Sequence, residues 1–225
     1  MTALLTDKNI VIYGAGGGIG RGMARTFARE GANLHLAGRT RASVQKVAVV
    51  NLVSRGDVQG TAYVDMTTAG FLAPITAGLA ASFVIARAAA REMVRRGSGV
   101  ILAITSGSSR GTMPMMGGTG PAEAATETFL RYLAAEVGPH GVRVLGLWTA
   151  GVRETFDLED DTNEARIQSG MSGEDIDRVI GPMTMLRHTP RLDEVVDAAA
   201  FLVSDRAAGM TGTIANVTCG LVPGP

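Results

Sequence analysis

A single cysteine, Cys219, in a chain of 225 residues excludes an internal disulfide framework and fits a reducing compartment. An excess of one charge is also missing: 21 Lys and Arg stand against 21 Asp and Glu, which leaves no electrostatic basis for a nucleic-acid or membrane-surface partner. No internal repeat or low-complexity linker breaks the chain, whose length suits one α/β domain and is short for two. Residues 1–8 are too polar for a signal peptide. The longest uncharged run, residues 67–86, contains Pro74, Gly70, Gly78 and several Thr and Ser. It reads as a buried or interface helix in preference to a membrane span. These absences describe a soluble, cytoplasmic, single-domain protein.

What is present is glycine, concentrated in residues 9–25. The β-branched run Ile10, Val11, Ile12 reads as a buried parallel strand. The run breaks at Gly14, and a helical pattern of Ile19, Met23 and Phe27 follows. Between them Gly14, Gly18 and Gly20 give the spacing G-x-x-x-G-x-G. Glycine there permits a tight turn and lets backbone N–H groups and the helix N-terminus approach a pyrophosphate. A bare glycine pattern also fits an ordinary flexible turn. The strand before, the helix after and a second strand at residues 33–37 favour the nucleotide.

This spacing resembles the short-chain dehydrogenase/reductase family. The resemblance implies an α/β fold: a Rossmann-type doubly wound parallel sheet in one domain, with a dinucleotide on Gly14, Gly18, Ile19 and Gly20. In that fold the end of the second strand meets the adenosine ribose, where an acidic residue binds the 2′-hydroxyl of NAD. Here that end reads Gly38-Arg39-Thr40-Arg41, without an acid. Arg39, with Thr40 and Arg41, suits a 2′-phosphate because its planar donor fork stays charged. The cofactor expected is NADP(H) rather than NAD(H), the competing reading being two solvated surface arginines.

The next segment is short. One β-α repeat takes about 23 residues in this chain. If residues 47–53 are the next strand, only about six residues after Arg41 remain for its helix. The family's fourth strand ends in Asn-Asn-Ala-Gly beside the nicotinamide, and Val50-Asn51-Leu52-Val53-Ser54 resembles it through Asn51 alone. About a repeat and a half is then absent before Val50, and the expectation is that the sequence omits a segment near residues 48–50. A rival alignment makes residues 42–55 a helix and residues 61–65 the third strand, with Asp65 at the adenine. Residues 71–96 read as a long helix closed by Arg95, Arg96 and Gly97. The family's structural Asn on this helix falls at Gly78. Small residues along it (Ala77, Gly78, Ala80, Ala81) permit close helix approach, and the family's habit implies a homo-oligomer, a tetramer or dimer.

Residues 99–105 form an apolar strand running into Ser106. In the family a Ser here holds the substrate oxygen. A Tyr follows 13 residues on, with a Lys four beyond it on the same helix face. Tyr moves the proton during hydride transfer, and Lys lowers its pKa and holds the nicotinamide ribose. In this chain those positions are Thr119 and Glu123. Threonine has no acid/base pKa near neutrality, and glutamate cannot act as the cation, though it can accept ribose hydroxyls. Ser106 is the best-placed survivor, an ordinary strand-end cap being its equal alternative. Tyr63 lies in a loop able to reach the pocket. Tyr132 points away from the face of Thr119 and Glu123 and reads as a packing residue. His140 lies in a surface turn.

After the strand at residues 142–147, Ala150-Gly151 stands where the family has Pro-Gly, and Thr155 follows four residues on, as for the nicotinamide carboxamide. Trp148 flanks the ring or packs in the core. Residues 156–190, polar and acid-rich, fit the family's mobile substrate lid, with Met171, Met183 and Met185 as apolar lining. The tail matches the family through a helix at residues 193–203, Ser204-Asp205 and Thr211-Gly212, while the usual Asp-x-Gly-Gly has become Thr218-Cys219-Gly220. The resemblance implies an oxidoreductase acting on a small-molecule carbonyl or alcohol with a non-standard proton donor. The alternative is a catalytically inactive nucleotide-binding or regulatory protein on the same fold. No metal site is expected.

Overall fold

The computed structural model describes residues 3–37, 50–51, 56–157 and 170–223. Six strands form one parallel sheet: β1 (Asn9–Tyr13), β2 (Asn33–Ala37), β3 (Val50–Asn51), β4 (Gly99–Ser106), β5 (Val142–Thr149) and β6 (Thr213–Asn216). Their spatial order is β2-β1-β3-β4-β5-β6. The chain steps outward from β1 to β2 and then resumes on the other side of β1, so the order reverses between β1 and β3. In open parallel sheets a ligand crevice lies at such a reversal, outside the C-terminal ends of the strands.

Among the described residues five helices cover the faces: α1 (Gly18–Arg29), α2 (Thr68–Arg96), α3 (Thr119–Val137), α4 (Gly173–Ile180) and α5 (Leu192–Val203). The central strands β4 and β5 are apolar on both sides because both are largely buried. Leu102, Leu145 and Leu147 face Met23 and Phe27 of α1 and Val195, Ala199 and Leu202 of α5. Their neighbours Ile101, Ala103, Val142 and Val144 face Ala86 and Ala90 of α2 and Leu130 and Leu133 of α3. The expected helical face of α1 is correct: Met23 and Phe27 are both fully buried.

Helix α2 starts three residues earlier than expected, because the Thr67 hydroxyl accepts from the Gly70 N–H and caps it. Gly97 ends it in a left-handed conformation (φ 74°). Its buried residues are Pro74, Gly78, Ser82, Ala86 and Ala90, a stripe of small side chains at every fourth position. Alone among the described helices, α2 is long and apolar enough to cross a membrane. It packs along β4 and α3.

Two expectations are corrected here. Residues 61–65 are no strand: Tyr63–Asp65 is a single 3-10 turn, and Val50–Asn51 takes the sheet position beside β1. That placement supports the alignment built on Asn51. Tyr132 does point away from Thr119 and Glu123, but at 71% exposure it is no packing residue. Trp148, by contrast, is core, 3% exposed. His140 is exposed in the 3-10 turn Gly138–His140, as expected of a surface turn.

Candidate active site

All six strands being parallel, the ends that carry Gly14, Asn51, Ser106 and Gly151 lie along one edge of the sheet. Gly14 leaves β1 with φ 81°, its N–H donating to the Ala37 carbonyl of β2. A Cβ on Gly20 would lie 2.6 Å from the Gly14 carbonyl oxygen and 2.8 Å from the Ala15 Cα. Only glycine lets α1 approach the turn this closely. Gly18 and Ile19 open the helix, and its N-cap, Gly17, offers no side-chain acceptor. The first-turn N–H groups are thus left for an anion, which the positive end of the helix also favours. A glycine turn that a Cβ would fill, ahead of an uncapped twelve-residue helix, fits a dinucleotide pyrophosphate. Arg39 and Thr40, expected at the ribose, lie outside the described residues. Asn51 ends β3 in register with Tyr13 of β1 and Ala103 of β4.

At the end of β4 the Ser106 hydroxyl accepts from the Ser108 N–H (3.0 Å) and is hydrogen-bonded to the Ser108 hydroxyl at 2.7 Å. Ser106 is therefore a cap of the 3-10 turn Gly107–Ser109 and half of a hydroxyl pair. The first turn of α3 packs on this turn so closely that a Cβ on Gly120 would meet the Ser108 carbonyl oxygen at 2.8 Å. Thr119 and Glu123, one helical turn apart, are buried at 2% and 1% exposure. The Gln59 side-chain amide lies 3.4 Å from the Thr119 hydroxyl as its donor. The loop carrying Gln59 closes on the segment ahead of α3: Gly60 N–H donates to the Met115 carbonyl, and the Tyr63 phenol donates to the Gly117 carbonyl at 2.9 Å. The Tyr63 ring stands edge-on to Phe71. The Tyr63 phenol thus meets the chain two residues ahead of Thr119, while its side chain is largely exposed.

Sequence reasoning missed Ser108, Gln59 and Glu127. Glu127, 3% exposed, accepts from the Trp148 indole N–H at 2.6 Å. It lies one turn beyond Glu123 on the same face, and the four-residue spacing of two glutamates on an apolar helix was the available signal. Ser108 was signalled by its own spacing, since a hydroxyl two residues on readily caps a turn. Nothing marked Gln59, whose role arises from loop packing.

Gly151 has φ 56° and lies against Ile176 and Ile180 of α4. Thr155 is buried, its hydroxyl donating to the Val152 carbonyl at 2.7 Å. Within the expected lid, Ser172 and Asp175 form a capping box that starts α4. Residues 158–169 lie outside the described set. Asp177 accepts from both the N–H and the hydroxyl of Thr189. These bonds hold its carboxyl below the usual carboxylate range. Met183 and Met185 are exposed. Met185 lies against Gly220 at the mouth of the sheet edge rather than in a closed pocket, and Met171 is half-buried.

Residues 48–222 match the family model described as Enoyl-(Acyl carrier protein) reductase. An uncharacterized oxidoreductase of Mycobacterium tuberculosis is 26% identical over 250 positions, covering 92% of this chain and 88% of the relative. The enoyl-[acyl-carrier-protein] reductase [NADH] of Bacillus cereus is 30% identical over 171 positions, covering 76% of this chain and 62% of that protein. A solved short-chain type dehydrogenase/reductase from Mycobacterium ulcerans superposes with a TM-score of 0.80 at 22% identity, covering 96% and 90% of the two chains. The first alignment needs about forty positions for which this chain has no residue, the size of a strand, a helix and part of a second repeat. The family match begins at residue 48, in the stretch near residues 48–50 where a shortfall is expected.

Proposed function

Because the chain belongs to the short-chain dehydrogenase/reductase family, we propose that it binds NADP(H) at the β1–α1 turn and works as an atypical oxidoreductase on a small carbonyl or alcohol, with a proton donor other than the family's tyrosine. The observation that carries this reading is the uncapped N-terminus of α1 behind a turn too tight for a Cβ at Gly20. The nicotinamide group, when bound, supplies or accepts the hydride. Gly18, Ile19 and Gly20 present backbone N–H groups to the pyrophosphate, Gly14 shapes the turn that lets it approach, and Arg39 with Thr40 takes the 2′-phosphate. Asn51, Gly151 and Thr155 border the nicotinamide end. The Ser106–Ser108 pair shares its protons along one chain and keeps one O–H to donate to a substrate oxygen. Tyr63 is the phenol adjoining the α3 N-terminus, and we assign it the proton; Thr119 positions it through the shared turn, and Glu123 accepts ribose hydroxyls. The exposed apolar side chains of α2, Leu72, Phe83 and Val84, form the contact for a homo-oligomer, and the protein works in the cytoplasm.

A second reading, a catalytically inactive nucleotide-binding protein, is favoured by the same helix. Neither Thr119 nor Glu123 reproduces the tyrosine and lysine chemistry, and general acid/base assistance is worth ~10²–10⁴-fold in rate. Fluorescence titration with NADPH and NADH, followed by a screen of carbonyl substrates, separates the two. Preferential NADPH binding with turnover that falls in Tyr63→Phe supports the oxidoreductase. Binding without turnover across ketones, aldehydes and enoyl thioesters supports the inactive reading.

A further inference from the structure

Away from the cofactor turn, three side chains with metal-ligating atoms converge from three separate elements. His188 comes from the loop after α4, Glu194 from the first turn of α5, and Cys219 from the segment after β6; their ligand atoms all lie within 4.8 Å of one another. The Cys219 Sγ is 3.7 Å from His188 Nδ1 and 4.0 Å from Glu194 Oε2. In a tetrahedral zinc site with bonds of ~2.3 Å to sulfur and ~2.0 Å to nitrogen or oxygen, neighbouring ligand atoms are about 3.5 Å apart. The two sulfur spacings need only a few tenths of an ångström of contraction, and the His188–Glu194 pair, within 4.8 Å, needs at most about 1.5 Å. Backbone geometry holds the sulfur in place. Cys219 adopts φ 53°, unusual for a residue with a Cβ, and its carbonyl accepts from the Leu186 N–H, which ties its segment to the loop of His188.

We propose that His188, Glu194 and Cys219 form a site for one zinc-class divalent ion, with water completing the coordination. A thiolate, a neutral imidazole and a carboxylate balance a divalent charge. The thiolate selects a borderline-soft ion against magnesium and calcium. Binding releases the thiol proton to solvent. His188 Nδ1 also lies 3.0 Å from the Thr189 carbonyl, so ligation through this atom places the imidazole proton on Nε2 and gives up that contact. Thr218 and Val222, either side of the cysteine segment, pack on Gly107 directly after Ser106. An ion at Cys219 therefore clamps the end of the lid to the segment that borders the candidate active site.

The test is titration of the chelator-treated protein with Co²⁺, followed by competition with Zn²⁺. The expected result is one equivalent bound with a thiolate-to-cobalt charge-transfer band, bleached by zinc, and a melting temperature that rises with zinc. Cys219→Gly suits the left-handed backbone and is expected to fold; it loses the band and binds at least ~100-fold more weakly, while His188→Gln and Glu194→Gln each lose about tenfold or more. Absence of the band in folded wild-type protein overturns the site. So does a band of unchanged affinity in both His188→Gln and Glu194→Gln, which would mean a lone thiol contact.

Discussion

The β1–α1 turn and the β4–α3 corner lie on one edge of one sheet and are built under different constraints. At the first, glycine remains wherever the backbone geometry demands it: Gly14 is left-handed, and Gly20 has backbone atoms within 3 Å of where its Cβ would be. At the second, Ser106 caps its turn, α3 packs against Ser108, and Thr119 and Glu123, proposed above to stand in for the family's reactive pair, are buried one helical turn apart. The difference shows which constraint is steric and which is chemical. A glycine turn fails structurally when altered, whereas a reactive side chain can be exchanged and leave the fold intact.

The largest expected effect falls on the steric side. Gly20→Val places side-chain atoms into the Gly14–Ala15 backbone and should cost about 3 kcal/mol or more, together with all measurable nucleotide affinity. Thermal melting and NADPH titration read the two consequences; a stable variant that still binds would erase the contrast between the regions. Next comes Arg39→Ala, expected to weaken NADPH by about 10- to 100-fold and to leave NADH nearly unchanged, by equilibrium titration of both. Equal losses for both nucleotides would remove the 2′-phosphate assignment.

At the other corner, Trp148→Phe deprives the buried Glu127 carboxylate of its indole donor and should destabilise by about 1–2 kcal/mol in denaturant melts, without altering NADPH affinity. A change in affinity would couple the corner to the nucleotide turn. The smallest effect belongs to α4. Asp177 titrates lower in the folded protein than in the unfolded chain, so its contribution is present above the unfolded value and is lost as pH falls through the folded one. Asp177→Asn should lower stability slightly at neutral pH, where that contribution is present, leave it almost unchanged at the acid end, and so flatten the acid limb of the stability–pH profile measured by denaturant melts.

The same contrast explains what was legible in the sequence. The β-branched run of β1, the glycine spacing and the Met23 and Phe27 face of α1 are local signals, and each recurs in the structure. The parallel sheet and its reversal beside β1 followed from them, and Val50–Asn51 lies where Asn51 placed it. The rival strand at residues 61–65 had Thr61, Tyr63 and Val64 in its favour, yet Tyr63 turns its phenol to Gly117 in a 3-10 turn, and the alignment built on Asn51 stands. Gln59 against Thr119, and Cys219 against His188 and Glu194, were not legible, because those contacts join segments 25 to 60 residues apart through loop packing. Tyr132 shows the remaining limit: periodicity gives the face of a helix, not whether something covers it.

The account rests most directly on a nucleotide occupying the β1–α1 turn. Calorimetric titration of NADPH into the wild-type protein, beside a conservative Gly20→Ala variant, tests that claim. The account predicts one saturable site in the wild type and weakened or absent binding once a single Cβ is added at Gly20. Absence of binding to the folded wild type, or equal binding by the variant, would contradict it.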